Sequence, residues 1–398
     1  EKMKKNIEIE GAFKIFESSV KDIGIEKISI SKGLGYILAE DIFSPINQPP
    51  FSKSAMDGVT LNSKNLKENF KFTIKSTIYA GDNCSISLGS NEIHRIMTGA
   101  KLPPDCDIVI PQEYCSFQGR EVVIQKYGKK GDNICFLGED FQRGELLLKK
   151  GEKLDYISLA LLSSIGVTEI QVYKKIKIAL IITGDEISNP WESLKEGKIF
   201  DSNGMLLTQR LKELGYEVDI FEYLEDSTLK VSQRLKELAS KVDVIITTGG
   251  VSVGEKDIFH EAIDLAGGEK IFWRVNLKPG TPALFSLIDS CPVLSLSGNP
   301  FAACVTFELL GRTLLGFLQK DSLLPLKRNS GVLLSDFSKG GDKRRFVRGK
   351  FYNGKIEIPD GLHSSYALGS MRGCNVLVEI PSGSNGVKSG DEVVIWEL

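Results

Sequence analysis

Residues 243–257, DVIITTGGVSVGEKD, combine the residue types that bind phosphate with an acid placed to hold a cation. Val244, Ile245, Ile246, Thr247 and Thr248 form a short apolar, β-branched run, which marks a buried strand. Gly249, Gly250 and Gly254 follow, with Ser252 between them, and Asp257 stands where Ile258, Phe259, Ala262, Ile263 and Leu265 take up helical spacing. Strand, glycine turn and helix start make an anion site, because glycines let the backbone approach and unpaired helix N–H groups point at the ligand. Asp257 has two readings at such a point: a helix N-cap, the commoner role for a single Asp, or a ligand to a metal beside a phosphate.

The elements that must position this stretch lie on both sides of it. From residue 177 to about 318, strand-like and helical patterns alternate, the signature of a parallel sheet with helices on both faces. A strand over 178–182 runs into Asp185 and Glu186, a strand over 217–221 precedes Glu225 and Asp226, and a strand over 293–296 ends in Ser297, Gly298, Asn299 and Pro300. Helices are predicted over 205–214, 229–239 and 301–315. Acids and glycines therefore recur just past strand carboxyl ends, where open α/β sheets bind ligands.

Residues 6–23 read as one amphipathic helix. Residues 59–148 are short alternating runs between turn signals, a β-rich module, and 155–166 reads as a further helix. From 331 to 398 the pattern is again strand-like with Gly and Pro punctuation, a small β-barrel or sandwich. Asp57-Gly58, after Pro49 and Pro50, reads as a turn tip. Asp82, Glu113 and Asp140 are each, taken alone, ordinary loop acids.

Composition narrows the class. Lys+Arg 50 against Asp+Glu 52 leaves a net charge of −2, so neither a nucleic-acid partner nor a membrane surface is expected. The seven cysteines include no C-x-x-C pair, and reduced thiols in a cytoplasmic protein are the expectation. No apolar run is read as approaching the roughly 18 residues of a membrane span, and the charged start lacks a signal-peptide core. His94, His260 and His363 are scattered singly and read as packing or surface residues, with His363 the one closest to a motif.

Taken together, SAMDG (54–58), IMTGAKLP (96–103), GDNIC with GED (131–140), TGDEI (183–187), DSN (201–203), TTGGVSVGEKD (247–257), KPGTP (278–282) and SGNP (297–300) resemble the molybdopterin molybdenumtransferases, the family of MoeA and the gephyrin E domain. The resemblance covers nearly the whole chain. It implies an α/β and β multidomain fold. A linking domain takes 1–58 and 141–173, a β-rich inserted domain 59–140, a doubly wound MogA-like domain 174–322 and a C-terminal β-barrel 326–398. It also implies insertion of molybdate into adenylylated molybdopterin with Mg2+-dependent release of AMP, in a homodimer that hands its product to molybdoenzyme maturation proteins.

Carried onto this chain, the resemblance gives Glu186, Asp226 and Asp257 a place at Mg2+, with Asp185 as a further candidate; oxygen ligands of this kind suit that ion. Gly249, Gly250, Ser252 and Gly254 would cradle phosphates. Asp57, Thr98 and Asp140 match catalytic positions of the N-terminal module. Arg274, Lys278, Arg348 and Ser365 match anion-binding positions, and Ser297, Gly298, Asn299 and Pro300 match the substrate turn. Lys343, Arg344 and Arg345 read as a solvated face. Four positions depart from the family pattern. Thr281 replaces a lysine, Ser297 a proline, Cys135 an arginine, and Val59-Thr60 a Tyr-Ala pair. Weaker anion binding and a looser turn are the expectations from the first two, in keeping with a divergent or tungstate-handling paralogue. The competing readings are an adenylyltransferase or nucleotide hydrolase sharing only the α/β domain, and a gephyrin-like scaffold.

Overall fold

The computed structural model describes residues 3–251 and 258–398. The chain divides into two compact units, Glu1–Ala39 with Gly151–Asp155 and Glu169–Leu398, and Glu40–Lys150 with Tyr156–Thr168.

The first unit is built on a seven-stranded sheet in the order Lys4–Ile7, Glu269–Val275, Leu284–Ile288, Cys291–Leu296, Val244–Thr248, Ile178–Thr183, Ile220–Leu224. Its strands are apolar at successive positions because both faces are covered. Ile178, Leu180 and Ile182 enter one core with Leu207, Leu211, Phe301 and Phe307 of the helices Asn203–Glu213 and Pro300–Gln319. Ala179 and Ile181 enter the other with Val231, Leu235, Phe259 and Ile263 of the helices Thr228–Ala239 and Ile258–Leu265. Successive side chains point to opposite faces of a strand, and here each face has its own helix layer.

Three features depart from the sequence expectation. The sheet is not wholly parallel: Leu284–Ile288 runs antiparallel to both of its neighbours. The cause is a two-residue hairpin in which Asp289 and Ser290 both have positive φ, 48° and 68°, a turn usually signalled by Asn-Gly or Asp-Gly. Residues 6–23 are not one helix either. Lys4–Ile7 is an edge strand parallel to Glu269–Val275, and the helix Ile9–Ser19 starts after it, burying Ile9, Ala12 and Phe16. The helix Pro300–Gln319, with a π-helical turn at Phe307–Gly311, is also longer and more apolar than the sequence reading allowed. It has the length and mean hydropathy of a membrane span, yet 94% of its apolar window is buried in the unit's core.

The carboxyl-terminal strands close on themselves. Arg344–Tyr352, Lys355–Glu357, Lys327–Leu333, Glu392–Glu397 and Val376–Ile380 pair in turn, and the last pairs back to the first, giving a barrel rather than a sandwich. Leu277–Lys278, leaving the α/β sheet, adds to it in parallel beside Arg344 and Arg345. In the second unit a six-stranded sheet runs from Ile108–Pro111 through Gly58–Leu61, Glu92–Ile96, Lys71–Ile78 and Glu121–Ile124 to Cys115–Gln118. All seven cysteines are free thiols, and burial pushes Cys106, Cys291 and Cys304 up to about 12, as structural thiols require.

Phe16 is fully buried and packs edge-on against Phe285 at 4.9 Å. Phe16→Ala should destabilise this unit by about 3–5 kcal/mol. Denaturant unfolding followed by tryptophan fluorescence reads this directly, since Trp191, Trp273 and Trp396 all belong to the unit.

Candidate active site

Three parallel strands, Ile178–Thr183, Val244–Thr248 and Cys291–Leu296, end at one edge of the sheet. Gly249 leaves the central one with φ 91° and Gly250 with φ 62°. A Cβ on Gly249 would stand 2.5 Å from the Thr183 carbonyl oxygen, and one on Gly298 would stand 3.4 Å from the Gly249 Cα. The Gly249 N–H donates to the Leu296 carbonyl at 3.1 Å. The three loops therefore meet at backbone distance, and only glycine fits at 249. Gly249 and Gly298 thus meet in close approach, while Gly250 packs against the Phe259 and Ile258 side chains. Ser252, Gly254 and Asp257 lie outside the described residues.

The acids lie beside this junction. Asp185 and Asp226 clasp each other across two loops. The Asp185 N–H donates to Asp226 Oδ2 and the Asp226 N–H to Asp185 Oδ1, both at 3.2 Å. Glu186 is exposed on the same loop as Asp185, with its Oε2 beside Gly184. Among the described residues no three His, Cys, Asp or Glu side chains converge on one point. The described donor set is thus the Asp185–Asp226 pair. That number fits Mg2+, which takes one or two carboxylates and completes its shell with water and substrate phosphate.

The turn at 297–300 links this edge to the barrel. Asn203 opens its helix, held there by Asp201, whose two carboxylate oxygens accept from the Gly204 N–H at 3.1 Å each. Asn203 Nδ2 donates to the Gly298 carbonyl at 2.9 Å, while its Oδ1 is buried without a hydrogen-bond partner. Ser297 Oγ accepts from the Asn299 N–H at 3.4 Å. The hydroxyl thus bonds within its own turn. Pro300 takes the first helical position, where a missing N–H costs nothing. The next two donors, the N–H groups of Phe301 and Ala302, reach the Ser365 carbonyl at 2.9 and 3.2 Å. Asn299 Nδ2 reaches Ser365 Oγ at 3.1 Å.

Ser365 also lines a cavity of about 240 Å3 with Lys278, Phe337, Arg345 and His363. Lys278 and Ser365, two predicted anion-binding residues, are brought together there. Arg348 is not exposed to it. Its guanidinium is fully buried, stacked 3.6 Å from the Phe301 ring, and donates to the carbonyls of Leu362, Ala367 and Ser364 and to Ser370 Oγ. Arg348, the third residue of that expectation, thus stands behind the cavity wall, stacked on Phe301. Its charge is spent on shaping the segment that carries Ser365. Desolvation lowers its pKa from the ordinary arginine value. Arg274 sits at the end of Glu269–Val275, half-buried with φ 69°, its guanidinium 5.5 Å from the Trp273 ring centroid. Thr281 Oγ1 donates to the Leu277 carbonyl at 2.6 Å and closes the turn that presents Lys278.

In the second unit Asp57 and Thr98 form one cluster. Asp57 Oδ1 accepts from the Thr98 N–H and the Thr98 hydroxyl, both at 2.7 Å. The adjacent strands Gly58–Leu61 and Glu92–Ile96 place them there, through the pairing of Gly58 with Ile96. Asp140 is exposed on a different loop, its N–H donating to the Gln48 carbonyl at 2.9 Å. Of the departures in this unit, Val59 and Thr60 are fully buried, Thr60 Oγ1 donating to the Ile108 carbonyl at 2.7 Å. Cys135 pairs with Lys53 in a two-stranded ribbon.

Comparison with known proteins agrees with this geometry along the chain. Residues 7–166 match the MoeA N-terminal region (domain I and II), 179–316 the probable molybdopterin binding domain, and 330–398 the MoeA C-terminal region (domain IV). The molybdopterin molybdenumtransferase of Haemophilus influenzae is 31% identical over 376 residues, covering 93% of each chain. The chain belongs to the molybdopterin molybdenumtransferase family. The Staphylococcus aureus (strain COL) member is 32% identical over 92% of this chain and 90% of its own. The solved molybdopterin biosynthesis moea protein from Pyrococcus horikosii superposes with a TM-score of 0.84 at 30% identity, covering 98% of this chain and 99% of that one. Membership of the MoeA family over both flanks removes the reading that rested on the α/β region alone.

The Thr98 hydrogen bonds, the backbone one first, lower the Asp57 carboxyl below its ordinary value. A depressed carboxyl contributes its interaction above its unfolded pKa and loses it as pH falls through the folded one. The Thr98 amide resonance should therefore hold its position down through about pH 4, the ordinary Asp range, and move only below it. In Asp57→Ala it should shift at neutral pH.

Proposed function

We propose that this chain inserts molybdenum from molybdate into adenylylated molybdopterin, releasing AMP in a Mg2+-dependent hydrolysis, and that it works as a homodimer passing its product to molybdoenzyme maturation proteins. The observation that carries the reading is the Asp185–Asp226 clasp beside the Gly249 junction, in a chain whose length matches the transferase family from 7 to 398.

The residues divide the work by charge. Gly249 and Gly250 remove side-chain bulk, so that a phosphate can approach the loop backbone. Asp226 and Asp185, with Glu186 and Asp257 as further candidates, would hold Mg2+, which when bound supplies positive charge to phosphate oxygens. Asn203, Gly298 and Asn299 fix the turn against which the substrate rests. Lys278 and Ser365 face the oxyanion. Hydrolysis breaks the anhydride between the pterin phosphate and AMP, water's hydroxyl going to one phosphorus and its proton to solvent. Asp57, which holds Thr98, and Asp140 take the catalytic positions that the family resemblance gives them, contributed across the homodimer.

Incubation of the purified protein with adenylylated molybdopterin, molybdate and Mg2+ should release AMP, and EDTA should stop it. Asp226→Ala should lower the rate about 100-fold or more, the loss expected when several kcal/mol of charge stabilisation disappear, with the unfolding transition unchanged. AMP release that survives both EDTA and Asp226→Ala would overturn the reading.

A further inference from the structure

Lys278 and Arg345 are directly opposite each other on adjacent parallel strands, and both line the 240 Å3 cavity that holds Ser365 and His363. Like charges facing across a strand pair destabilise a sheet. Among the described residues neither forms an ion pair, although their neighbour Arg344 is matched by Glu379 at 2.7 Å and Glu10 at 2.9 Å. Alternation explains the contrast, since consecutive strand residues point to opposite faces. Arg344 meets acids on one face, and Arg345 turns into the cavity on the other. There its one hydrogen bond runs from Nη2 to the Gly340 carbonyl at 3.3 Å, and its Nε is buried without a partner.

The other cavity groups supply no fixed charge. His363 Nε2 lies 2.8 Å from the Pro359 carbonyl, which can only accept, so Nε2 carries the proton. Nδ1, buried and unpartnered, presents a lone pair when the ring is neutral. Thr281, at the position where the family pattern has a second lysine, spends its hydroxyl on Leu277.

We propose that Arg345 is the barrel's oxyanion-contacting cation, and that with Lys278 it forms a two-charge seat for a tetrahedral dianion, supplying the charge that Thr281 lacks. The inference deepens the proposed molybdate-handling function and rests on it. An anion between the two side chains converts their repulsion into two charge-assisted contacts. A second, glycine-walled cleft outside, lined by Lys339, Gly340, Gly383 and Ser384, shares Arg345 with the inner cavity. Arg345 thus stands at the wall of both.

The test is calorimetric titration of molybdate into the full-length chain, with thermal unfolding measured with and without molybdate. Arg345→Gln should bind about tenfold more weakly or worse, as loss of one hydrogen bond to a charged group predicts. It should lose the molybdate-induced rise in Tm while its Tm without molybdate does not fall. Arg345→Lys should recover most of the affinity, and Lys355→Gln, an exposed charge elsewhere on the barrel, should leave it unchanged. Binding by Arg345→Gln within about twofold of the wild type, or an equal loss in Lys355→Gln, overturns the proposal. So does a Tm that falls by the same amount with and without molybdate. If Arg345→Gln does not fold, the comparison of Arg345→Lys with wild type decides, and a loss by the lysine variant as large as that of Lys278→Gln overturns the charge argument. Wild-type AMP release assayed in parallel separates the two claims. Normal release with unchanged Arg345→Gln binding sinks only this inference, whereas absent wild-type release sinks the reading beneath it.

Discussion

The absence of room for a side chain at Gly249 is the constraint on which the rest depends. The strand Val244–Thr248 leaves the sheet between two parallel neighbours, so its exit is bounded by the Thr183 carbonyl on one side and the Leu296 carbonyl on the other. Passing between them takes a positive φ and no Cβ. Once that passage exists, the loops carrying Asp185, Asp226 and Gly298 are drawn to one spot. The two aspartates then tie their loops by exchanging backbone hydrogen bonds. Those bonds orient the carboxylates.

From that junction a chain of hydrogen bonds runs to the barrel. Asn203 holds Gly298, Asn299 holds Ser365, and the Ser365 carbonyl satisfies the first free donors of the helix Pro300–Gln319. A helix start left without such a partner would carry unsatisfied N–H groups. Arg348 sustains the arrangement from below, where a buried cation is tolerable because four acceptors and the Phe301 face surround it. The acids thus gather at the sheet edge and the cations at the barrel cavity. A metal–phosphate and an oxyanion would be handled by separate but mechanically connected sets of residues.

Much of this was legible beforehand. The apolar runs 178–182 and 244–248 announce buried strands, and the acids and glycines that follow them mark the edge where the three loops meet. What escaped had physical reasons. Asp289-Ser290 makes a two-residue hairpin without the Asn-Gly signature, so the antiparallel strand Leu284–Ile288 was missed. Lys4–Ile7 is a short, charged edge strand, and its pattern merges with the amphipathic helix after it. Arg348 matched an anion-binding position by motif, but one sequence carries no measure of burial. Arg345, within a run of three basic residues, read as solvated surface. Period-two alternation was the signal that could have corrected this, because Arg344 and Arg345 cannot share a face. The Ser297 hydroxyl's bond to the Asn299 N–H is likewise a contact that no periodicity reports.

The central claim is that the aspartates clasped at the sheet's carboxyl edge hold a divalent cation against a phosphate. It is tested most directly by anomalous diffraction from crystals grown with Mn2+ and AMP. The account predicts a manganese peak at coordinating distance from Asp226 or Asp185, with phosphate oxygens in the same shell beside Gly249 and Gly250. A nucleotide bound at that edge with no manganese on either carboxylate, or manganese held only at unrelated surface acids, would contradict it.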